Sequence, residues 1–396
     1  MDPEKGGVCQ AVRTLITGLE ESGIKNEVVS LDEPDAGFLI NDKFPVHALG
    51  KGKGLWCYNG YLIPWLTDNF HRFDAVIVHG IWLYQSYAVS KAMRIFKKNQ
   101  SVNPSRNTSI PDLLIMPHGM LDPYFQRATG RKIKALRNLL YYKLIEGAVI
   151  NGADSMIFTC ETERLLARKP FRPYNPKKEI VVGLGLEEPV LGTFFTERAF
   201  ADKCQAAGQD YILYMGRIHE KKGVDILIQA YAYVTDMHKR RKTRIPSLVI
   251  AGPGLETAFG KQIQLQVYNS PLIRNAVYFP GMLTGNAKWG AFHGCEAFAL
   301  SSHQENFGIS VVEAMACGKP VLISNQVNIW KEIENGEAGM VSADNLSGTI
   351  DLLNRWIIFS EEEKKRMGKN ARICFEKTFA LKPAVSRLVY AITNKD

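Results

Sequence analysis

The regular alternation of short, β-branched apolar runs with longer amphipathic stretches constrains the fold of this chain more than any other feature. Such runs are typical of buried strands, and the stretches between them are typical of covering helices. Repeated strand–helix–strand order predicts parallel sheets and an α/β fold. Five runs lie in the first half and six in the second: NEVVSL, DAVIVHG, DLLIMPHG, SMIFTC and EIVVGLG, then YILYMGR, SLVIAGPG, AVYFPGML, EAFALSS, PVLISN and AGMVSA.

The chain of 396 residues is long enough for two domains, each with its own core. Between the two sets of runs lies GLGLEEPVLGTFFTERAFADKCQAAGQ, which has no clear periodicity and predicts a linker, with the boundary near residues 185–208. We therefore predict an N-terminal domain over residues 1–190, a C-terminal domain over residues 205–378 and a final helix over residues 379–396.

Composition excludes several classes of protein. A hydrophobic fraction of 46% with a charged fraction of 22% is typical of a globular chain, and no apolar run reaches the roughly 18 residues of a membrane span. The seven cysteines are dispersed without a C-x-x-C pair, which favours free thiols in the cytoplasm over a zinc site. Net charge is +9, but no basic cluster interleaves aromatic residues, so we expect no nucleic-acid partner.

Polar or glycine-rich segments follow the predicted strands of the second half: MGRIHEKKG, AGPG, PGML, SSHQENFG and SNQVN. Loops are usually polar, so no one of these segments is informative by itself. In an open parallel sheet, however, ligands bind outside the carboxyl ends of the strands. The recurrence of such segments favours a ligand-binding edge over chance.

Arg217 and Lys222 follow the predicted strand YILYM and precede the amphipathic stretch VDILIQAYAYV. Backbone N–H groups at the start of a helix attract anions, and Arg and Lys can add hydrogen bonds and charge to a phosphate. A solvated basic turn is the alternative, and the turn alone is weak support. The two residues are candidate anion ligands.

The segment HQENFGISVVEAMACGKPV places Glu313 inside an apolar helix that ends at Gly318. Gly308 lies just before that helix, whose N-terminus is a second candidate anion site. Glu305 is on the preceding loop. Two carboxylate acceptors beside an anion site suit a ligand with central phosphates and hydroxyl-rich ends, and a nucleotide sugar has that layout.

These motifs resemble those of a known enzyme family. ENFGISVVE resembles the E-x7-E element of the retaining glycosyltransferases of family 4, which have the GT-B fold of two facing Rossmann-like domains with a central cleft. GRIHEKKGVDILIQA resembles the partner motif of that element, and GGVCQAVRTLITGLEESG resembles the family's N-terminal glycine loop and first helix. HGIW and PHGMLDPY are similar to segments of members that build bacterial surface or envelope polysaccharides.

The resemblance implies a donor-binding role for a set of residues. Glu313 would bind the ribose hydroxyls, whereas Arg217 and Lys222 would hold the diphosphate. Gly7 would let the opposite loop approach the donor. The full donor-binding set that the resemblance implies is Gly7, Arg217, Lys222, Glu305, Asn306, Phe307, Gly308, Ile309 and Glu313.

Two catalytic residues are also implied by the resemblance. Glu305 would contact the transferred sugar, and His118, after the strand DLLIM, would lie beside it. A lone histidine after a strand is more often structural, and His79 in VHG has the same context, so the choice of His118 rests on the resemblance alone. Double displacement with Glu305 as nucleophile and front-face attack both remain open.

The expected activity is retaining transfer of a hexose-type sugar from a UDP- or GDP-sugar to a saccharide or lipid-linked acceptor in polysaccharide biosynthesis. Fixed cations and a helix N-terminus can stabilise the leaving diphosphate, and the sequence has no D-x-D carboxylate pair, so we expect no cofactor and no metal. The alternative is a nucleotide-sugar-binding protein of the same fold without transfer activity.

Basic residues occupy positions 131, 132, 134, 137 and 143 of the predicted helix RKIKALRNLLYYKLIEGAV, and leucines and tyrosines lie between them. Such a helix could lie on the inner membrane and bring the enzyme to a lipid-linked acceptor. A core-facing helix with a solvated basic side is more usual, and it is the interpretation that we favour.

Only MDPEK precedes the predicted glycine loop, and it has none of the features of a signal peptide. Family members usually begin with an apolar strand at this point, and a strand needs about five or six residues. We therefore expect that the first strand is missing and that the natural protein carries roughly ten more residues ending in a β-branched run. The alternative is that the protein tolerates the missing strand, with a loosened N-terminal domain and Gly7 poorly placed for the donor.

Overall fold

The computed structural model describes residues 1–2, 7–102, 109–128, 130–239 and 243–393. The chain divides into two compact units. Unit 1 comprises Met1–Gly185 together with Leu381–Asp396, and unit 2 comprises Leu186–Ala380. The end of the chain, which the sequence analysis separated as its own segment, is therefore part of unit 1.

The strands of unit 1 form two parallel sheets. The described strands are β1 (Val28–Ser30), β2 (Val46–Ala48), β3 (Ala75–His79), β4 (Asp112–Met116), β5 (Ser155–Phe158) and β6 (Glu179–Val181). The larger sheet has the order β3-β4-β5-β6, whereas β1 and β2 pair with each other in a separate sheet. Met1 and Asp2, the described residues ahead of the first helix, lie in no strand.

Helices surround these sheets, and a π-helical turn, Tyr142–Glu146, joins two of them. Gly18 lies so close to the last helix that a Cβ there would come within 2.5 Å of Val385 Cγ2. This close approach packs the first helix against the last and holds the C-terminal segment in unit 1. The described helices are α1 (Gly7–Glu21), α2 (Leu62–Asn69), α3 (Tyr84–Val102), α4 (Tyr124–Arg127), α5 (Lys132–Tyr141), α6 (Gly147–Gly152), α7 (Glu161–Ala167) and α16 (Leu381–Thr393).

Unit 2 has one six-stranded parallel sheet in the order β9-β8-β7-β10-β11-β12. Its strands are β7 (Tyr211–Met215), β8 (Ser247–Ala251), β9 (Val277–Gly281), β10 (Ala297–Leu300), β11 (Val321–Ser324) and β12 (Gly339–Ser342). All residues of β7, β10 and β11 are buried. Burial on both faces explains why these strands are continuous apolar runs in the sequence.

Helices connect the successive strands of unit 2, as parallel pairing requires, and further helices precede β7 and follow β12. They are α8 (Phe194–Ala201), α9 (Val224–Lys239), α10 (Ala258–Tyr268), α11 (Gly285–Gly294), α12 (Ile309–Ala316), α13 (Trp330–Asn335), α14 (Leu346–Ile358) and α15 (Glu361–Cys374). Helices α9 and α14 pack against each other, and each has buried apolar residues such as Leu227 in α9 and Leu353 in α14. The loops, and not these helices, occupy the carboxyl edge of the sheet.

Strands lie in all eleven segments where the sequence predicts them, which confirms the α/β interpretation. The prediction missed β2, because its three residues belong to the short, mixed segment PVHALG. It was also wrong about the linker, which contains α8. That helix begins with a capping box made by Thr193 and Thr196, but Phe194 and Phe195 are exposed on it and obscure its amphipathic pattern.

The core-facing interpretation of the basic helix is also wrong for α5, although it holds for the end of the same predicted helix, where Tyr142 and Val149 are buried in the core of unit 1. Within α5, Asn138 is the buried residue, while Ile133, Leu136 and Leu140 are exposed to solvent. Across the described residues, none of the helices combines the length and apolar character needed to cross a membrane.

Candidate functional site

The strand order of unit 2 reverses between β7 and β10, because the chain proceeds outward from β7 through β8 and β9 before it returns to β10. In parallel α/β sheets of this order, ligands bind at the carboxyl ends of the two strands that flank the reversal. Those ends carry GRIHEKKG after β7 and SSHQENFG after β10. The two segments that the sequence analysis selected are therefore neighbours in the fold.

Backbone contacts hold these two segments together. The Ser302 hydroxyl donates to the carbonyl oxygen of Lys221 at 3.1 Å, and the His303 N–H donates to the same oxygen at 2.9 Å. Gly223 has φ +63°, and a Cβ there would overlap the carbonyl oxygen of Ser301. Only glycine allows this approach, so the turn after β7 is fixed against the loop after β10.

Lys222 and Glu305 form an ion pair between the two segments, with side chains 23% and 20% exposed. The pKa of Lys222 is lowered to about 8, mainly by burial and in addition by the neighbouring charges of Lys221 and Arg217. The Glu305 carboxylate opposes this shift because it favours the charged ammonium. The Lys222 ammonium can therefore leave the Glu305 carboxylate and bind an anion of higher charge.

The main chain on both sides fixes Glu305 in position. Its N–H donates to the carbonyl oxygen of Gln326 at 2.9 Å, and its carbonyl oxygen accepts from the Asn328 N–H at 2.9 Å. Gly308 has φ +75° and caps the N-terminus of α12, and a Cβ there would lie 3.4 Å from Glu305 Cγ. The loop thus places a carboxylate beside the N–H groups that open α12.

Glu313 lies in α12 and pairs through Oε1 with Lys288 of α11 at 2.5 Å. Its side chain is 13% exposed. Burial raises the pKa of Glu313, and the Lys288 ammonium opposes that shift. Lys288 also lies over the ring of Trp289, 4.7 Å from its centroid. Sequence reasoning missed Lys288, because the surrounding TGNAKWGAFHG contains no recognisable motif.

The remaining donor-set residues of unit 2 lie at the same edge. Arg217 directly follows β7 and is exposed, and Asn306 and Ile309 are partly buried beside the start of α12. Phe307 is buried and packs edge-on against Phe379, with ring centroids 5.7 Å apart. Its side chain therefore packs inside unit 2 and supports the loop, whereas its neighbours Asn306 and Ile309 lie at the edge.

His79 and His118 occupy the equivalent edge of unit 1, where His79 is the last residue of β3 and His118 follows the neighbouring strand β4. His79 Nδ1 lies 3.0 Å from His118 Nε2, and the rings stack with centroids 5.3 Å apart. Burial lowers the pKa of His79 to about 4, and burial together with the charge of His79 lowers the pKa of His118 to about 3. Both rings are therefore neutral at pH 7, and one donates a hydrogen bond to the other.

A buried carboxylate, Glu163, supports the turn that carries His118. Glu163 Oε1 accepts from the Gly119 N–H at 2.5 Å, and Oε2 accepts from the Thr159 N–H at 2.7 Å. His118 has φ +51°, which is strained for a residue other than glycine. The hydrogen bond to Gly119 secures this conformation.

A second buried carboxylate, Glu146, supports the adjoining loop. It accepts from the Ser86 hydroxyl at 2.9 Å and from the Trp82 N–H at 3.4 Å, and burial raises its pKa to about 7. The Trp82 indole N–H donates to the carbonyl oxygen of Met120 at 3.1 Å and so ties HGIW to PHGM. Sequence reasoning missed both carboxylates, because each lies on a helix that is distant in sequence from the loop that it supports.

Gly7 is the exposed first residue of α1, and the preceding part of the predicted glycine loop falls in residues 3–6, outside the described residues. Gly7 and His118 belong to unit 1, and the other predicted site residues belong to unit 2. Within the described ranges, no group of three or more His, Cys, Asp or Glu side chains is arranged to hold a metal ion. The groups at the unit 2 edge whose charge or N–H donors suit an anion are Arg217, Lys222, Lys288 and the start of α12.

This architecture is the GT-B fold, and solved structures share it over almost the whole chain. Anabaena HepE in complex with UDP and glucose has a TM-score of 0.69 with 17% identity, over 98% of this chain and 96% of that one. A glycosyltransferase from Rickettsia africae has a TM-score of 0.73 with 15% identity, over 99% of this chain and 96% of that one.

The match to a family model lies within unit 2. Residues 196–373 match the family model for glycosyl transferases group 1. A D-inositol 3-phosphate glycosyltransferase from Actinosynnema mirum is 26% identical over 214 residues, which is 53% of this chain and 50% of the relative. An uncharacterized glycosyltransferase from Methanocaldococcus jannaschii is 27% identical over 150 residues, which is 37% of this chain and 36% of the relative. The chain spans about half the length of the curated relatives it matches, or less.

Proposed function

We propose that this protein is a glycosyltransferase that moves a sugar from a UDP- or GDP-sugar to a saccharide or lipid-linked acceptor. The observation that carries the proposal is the edge at β7 and β10, where two lysines pair with two glutamates beside the start of α12. A nucleotide sugar supplies a partner for every one of these groups, because it joins a diphosphate to two hydroxyl-rich ends.

The diphosphate would bind at Lys222, Arg217 and the N-terminus of α12. Lys222 has a pKa of about 8 and is charged at neutral pH, so its ammonium can transfer from the Glu305 carboxylate to a phosphate oxygen. Charge-assisted hydrogen bonds of this kind are about twice as strong as neutral ones. As the bond to the sugar breaks, negative charge grows on the diphosphate, and these fixed groups stabilise it without metal.

The ribose would bind at Glu313. The contact with Lys288 is made through Oε1, which leaves Oε2 to accept from a ribose hydroxyl. Lys288 then keeps the buried carboxylate ionised, and an ionised carboxylate is the stronger acceptor. This role explains why an acidic residue lies within the otherwise apolar helix ISVVEAMA.

Release of Glu305 from Lys222 would free its carboxylate for the transferred sugar. His118 is neutral, so it would contribute a hydrogen bond and no charge. We propose retention of configuration at the transferred, hexose-type sugar, which the resemblance of ENFGISVVE to the E-x7-E element supports. The similarity of HGIW and PHGMLDPY to polysaccharide-building members supports an acceptor in polysaccharide biosynthesis.

Release of nucleoside diphosphate from a panel of donors tests the proposal. UDP-glucose, UDP-N-acetylglucosamine, GDP-mannose and ADP-glucose are each incubated with the protein and with Lys222→Met, and thermal shift is measured in parallel. We expect release from a UDP- or GDP-sugar by the wild type and strong loss in the variant. A ligand at 100 times its dissociation constant stabilises by about 2.7 kcal/mol, so a shift without release would identify a donor-binding protein. Absence of both would contradict the proposal.

A further inference from the structure

Helix α5 and its π-helical continuation expose a stripe of large aliphatic side chains. The stripe, which we call the α5 face, consists of Ile133, Leu136, Leu140 and Leu144, exposed by 87%, 59%, 53% and 78%. These residues recur three and four positions apart, so they share one side of the helix. Asn138, the buried residue of α5, lies on the opposite side. Isolated exposed leucines are ordinary, but a continuous stripe marks an interaction surface.

Basic side chains flank the stripe on both sides. Lys134 and Arg137 lie along one flank and Lys132 and Lys143 along the other, as their spacing from the aliphatic residues requires, and all four are exposed. The one acidic residue between positions 127 and 146 is Glu146, which is buried and bonded to Ser86. Between positions 127 and 146 the flanks therefore carry positive charge and no exposed acidic residue.

We infer that the α5 face docks onto the surface of an anionic phospholipid bilayer. An interfacial helix buries its aliphatic side chains at the boundary of headgroups and acyl chains, and flanking lysines and arginines extend to the lipid phosphates. The arrangement of aliphatic residues between two basic flanks meets both requirements. The surface would hold unit 1 at the membrane, where a lipid-linked acceptor resides.

Charge favours lipid over a second copy of the chain as the occupant. A symmetric dimer through the α5 face would bring the same patch of each subunit together. Each patch contributes its basic flanks and no exposed acidic residue between positions 127 and 146, so like charges would meet. A bilayer that contains anionic lipid offers the opposite charge, and each basic residue near such a surface contributes about 1 kcal/mol, or roughly fivefold in affinity.

Flotation with vesicles tests the inference directly. Vesicles of phosphatidylcholine alone and vesicles that also contain phosphatidylglycerol are mixed with the full chain at low and high salt. We expect binding to the vesicles with phosphatidylglycerol and weak binding to phosphatidylcholine alone. Binding should fall as salt rises, because salt screens exposed charges.

Two variants separate the aliphatic and basic contributions. Lys134→Gln/Lys143→Gln should weaken binding to anionic vesicles roughly 25-fold, at about fivefold for each charge. Leu136→Ser/Leu140→Ser should weaken binding by roughly tenfold or more per leucine. All of these side chains are exposed, so thermal stability and nucleoside diphosphate binding should not change.

A matched control removes exposed apolar residues from another helix. Leu265 and Tyr268 lie on α10 in unit 2 and are 59% and 75% exposed, and Leu265→Ser/Tyr268→Ser should bind vesicles as the wild type does. The inference is overturned if the wild type does not float with anionic vesicles, or if the α5 variants float as well as the control. It is also overturned if sedimentation shows a dimer that Leu136→Ser/Leu140→Ser dissociates.

Discussion

Replacement of Glu313 by glutamine tests the ribose contact with the smallest change in shape. Glu313 is almost buried, pairs with Lys288 and lies in the middle of α12. A charge-assisted hydrogen bond contributes roughly 1.5–3 kcal/mol. Since 1.4 kcal/mol is tenfold in affinity, Glu313→Gln should weaken nucleoside diphosphate binding by about 10- to 150-fold.

Isothermal titration with UDP and GDP measures this loss. Glu305→Gln is the informative comparison, because Glu305 is proposed to contact the transferred sugar, which UDP and GDP lack. This substitution should change the affinity for UDP and GDP by less than about fourfold and should reduce the rate of transfer instead. Glu362→Gln, at an exposed position in α15, is the matched control and should behave as the wild type. Equal loss in Glu313→Gln and Glu305→Gln, or wild-type affinity in Glu313→Gln, would refute the reasoning.

The loss of the Lys288 partner must be separated from the loss of the ribose acceptor. The Lys288 side chain is 26% exposed, so water can solvate its ammonium when the carboxylate is removed. Exposed or partly exposed ion pairs contribute little, about 0–1 kcal/mol. Thermal unfolding of Glu313→Gln without ligand should therefore lie close to that of the wild type, while the shift induced by UDP or GDP should shrink.

Three further predictions follow from the described contacts. Transfer should survive EDTA, since Arg217, Lys222 and the start of α12 supply the positive charge; loss with recovery on addition of Mg²⁺ or Mn²⁺ would contradict this. The pKa of His118 is about 3 in the folded state and about 6.5 in the unfolded state, so the free energy of unfolding decreases as pH falls below about 6.5. In urea unfolding, the wild type should therefore lose about 2 kcal/mol more than His118→Asn between pH 7 and pH 5. The raised pKa of Glu146 acts in the opposite direction and cancels in that difference; equal losses in both proteins would contradict the assigned shift. Gly223→Ala should destabilise the protein by about 1–3 kcal/mol or more, because of φ +63° and the overlap with Ser301. Gly208→Ala is the control, because Gly208 has φ +79° with open space around it, and it should show only the smaller cost of a positive φ. Equal losses of stability in thermal unfolding would contradict the overlap.

Strand positions were predictable because buried parallel strands are continuous apolar runs, and β7 and β10 are buried at every residue. The same argument predicted which edge of the sheet carries the candidate site, because parallel strands all end on one side of the sheet. It could not predict α8, which begins with the Thr193–Thr196 cap, packs against α11 and has exposed phenylalanines that hide its periodicity.

The residues that support the candidate site residues could not be predicted from the sequence, for a different reason. Lys288, Glu146 and Glu163 act through contacts 25, 64 and 44 residues away in the chain, with Glu313, Trp82 and Gly119 respectively. Each occupies a helix where an isolated charged residue has no distinguishing pattern. Only the folded arrangement shows that each of them pairs with, or supports, a candidate site residue.

Hydrogen–deuterium exchange with and without bound nucleoside diphosphate tests the central claim most directly, because it locates the ligand on the chain. UDP, GDP and ADP are each added, and the one with the largest thermal shift is used. The account predicts slower exchange in peptides that cover residues 216–223 and 303–313, with unchanged exchange in α10 and α15 of the same unit. Nucleotide binding that protects neither peptide, or that protects only segments away from the carboxyl ends of β7 and β10, would contradict it.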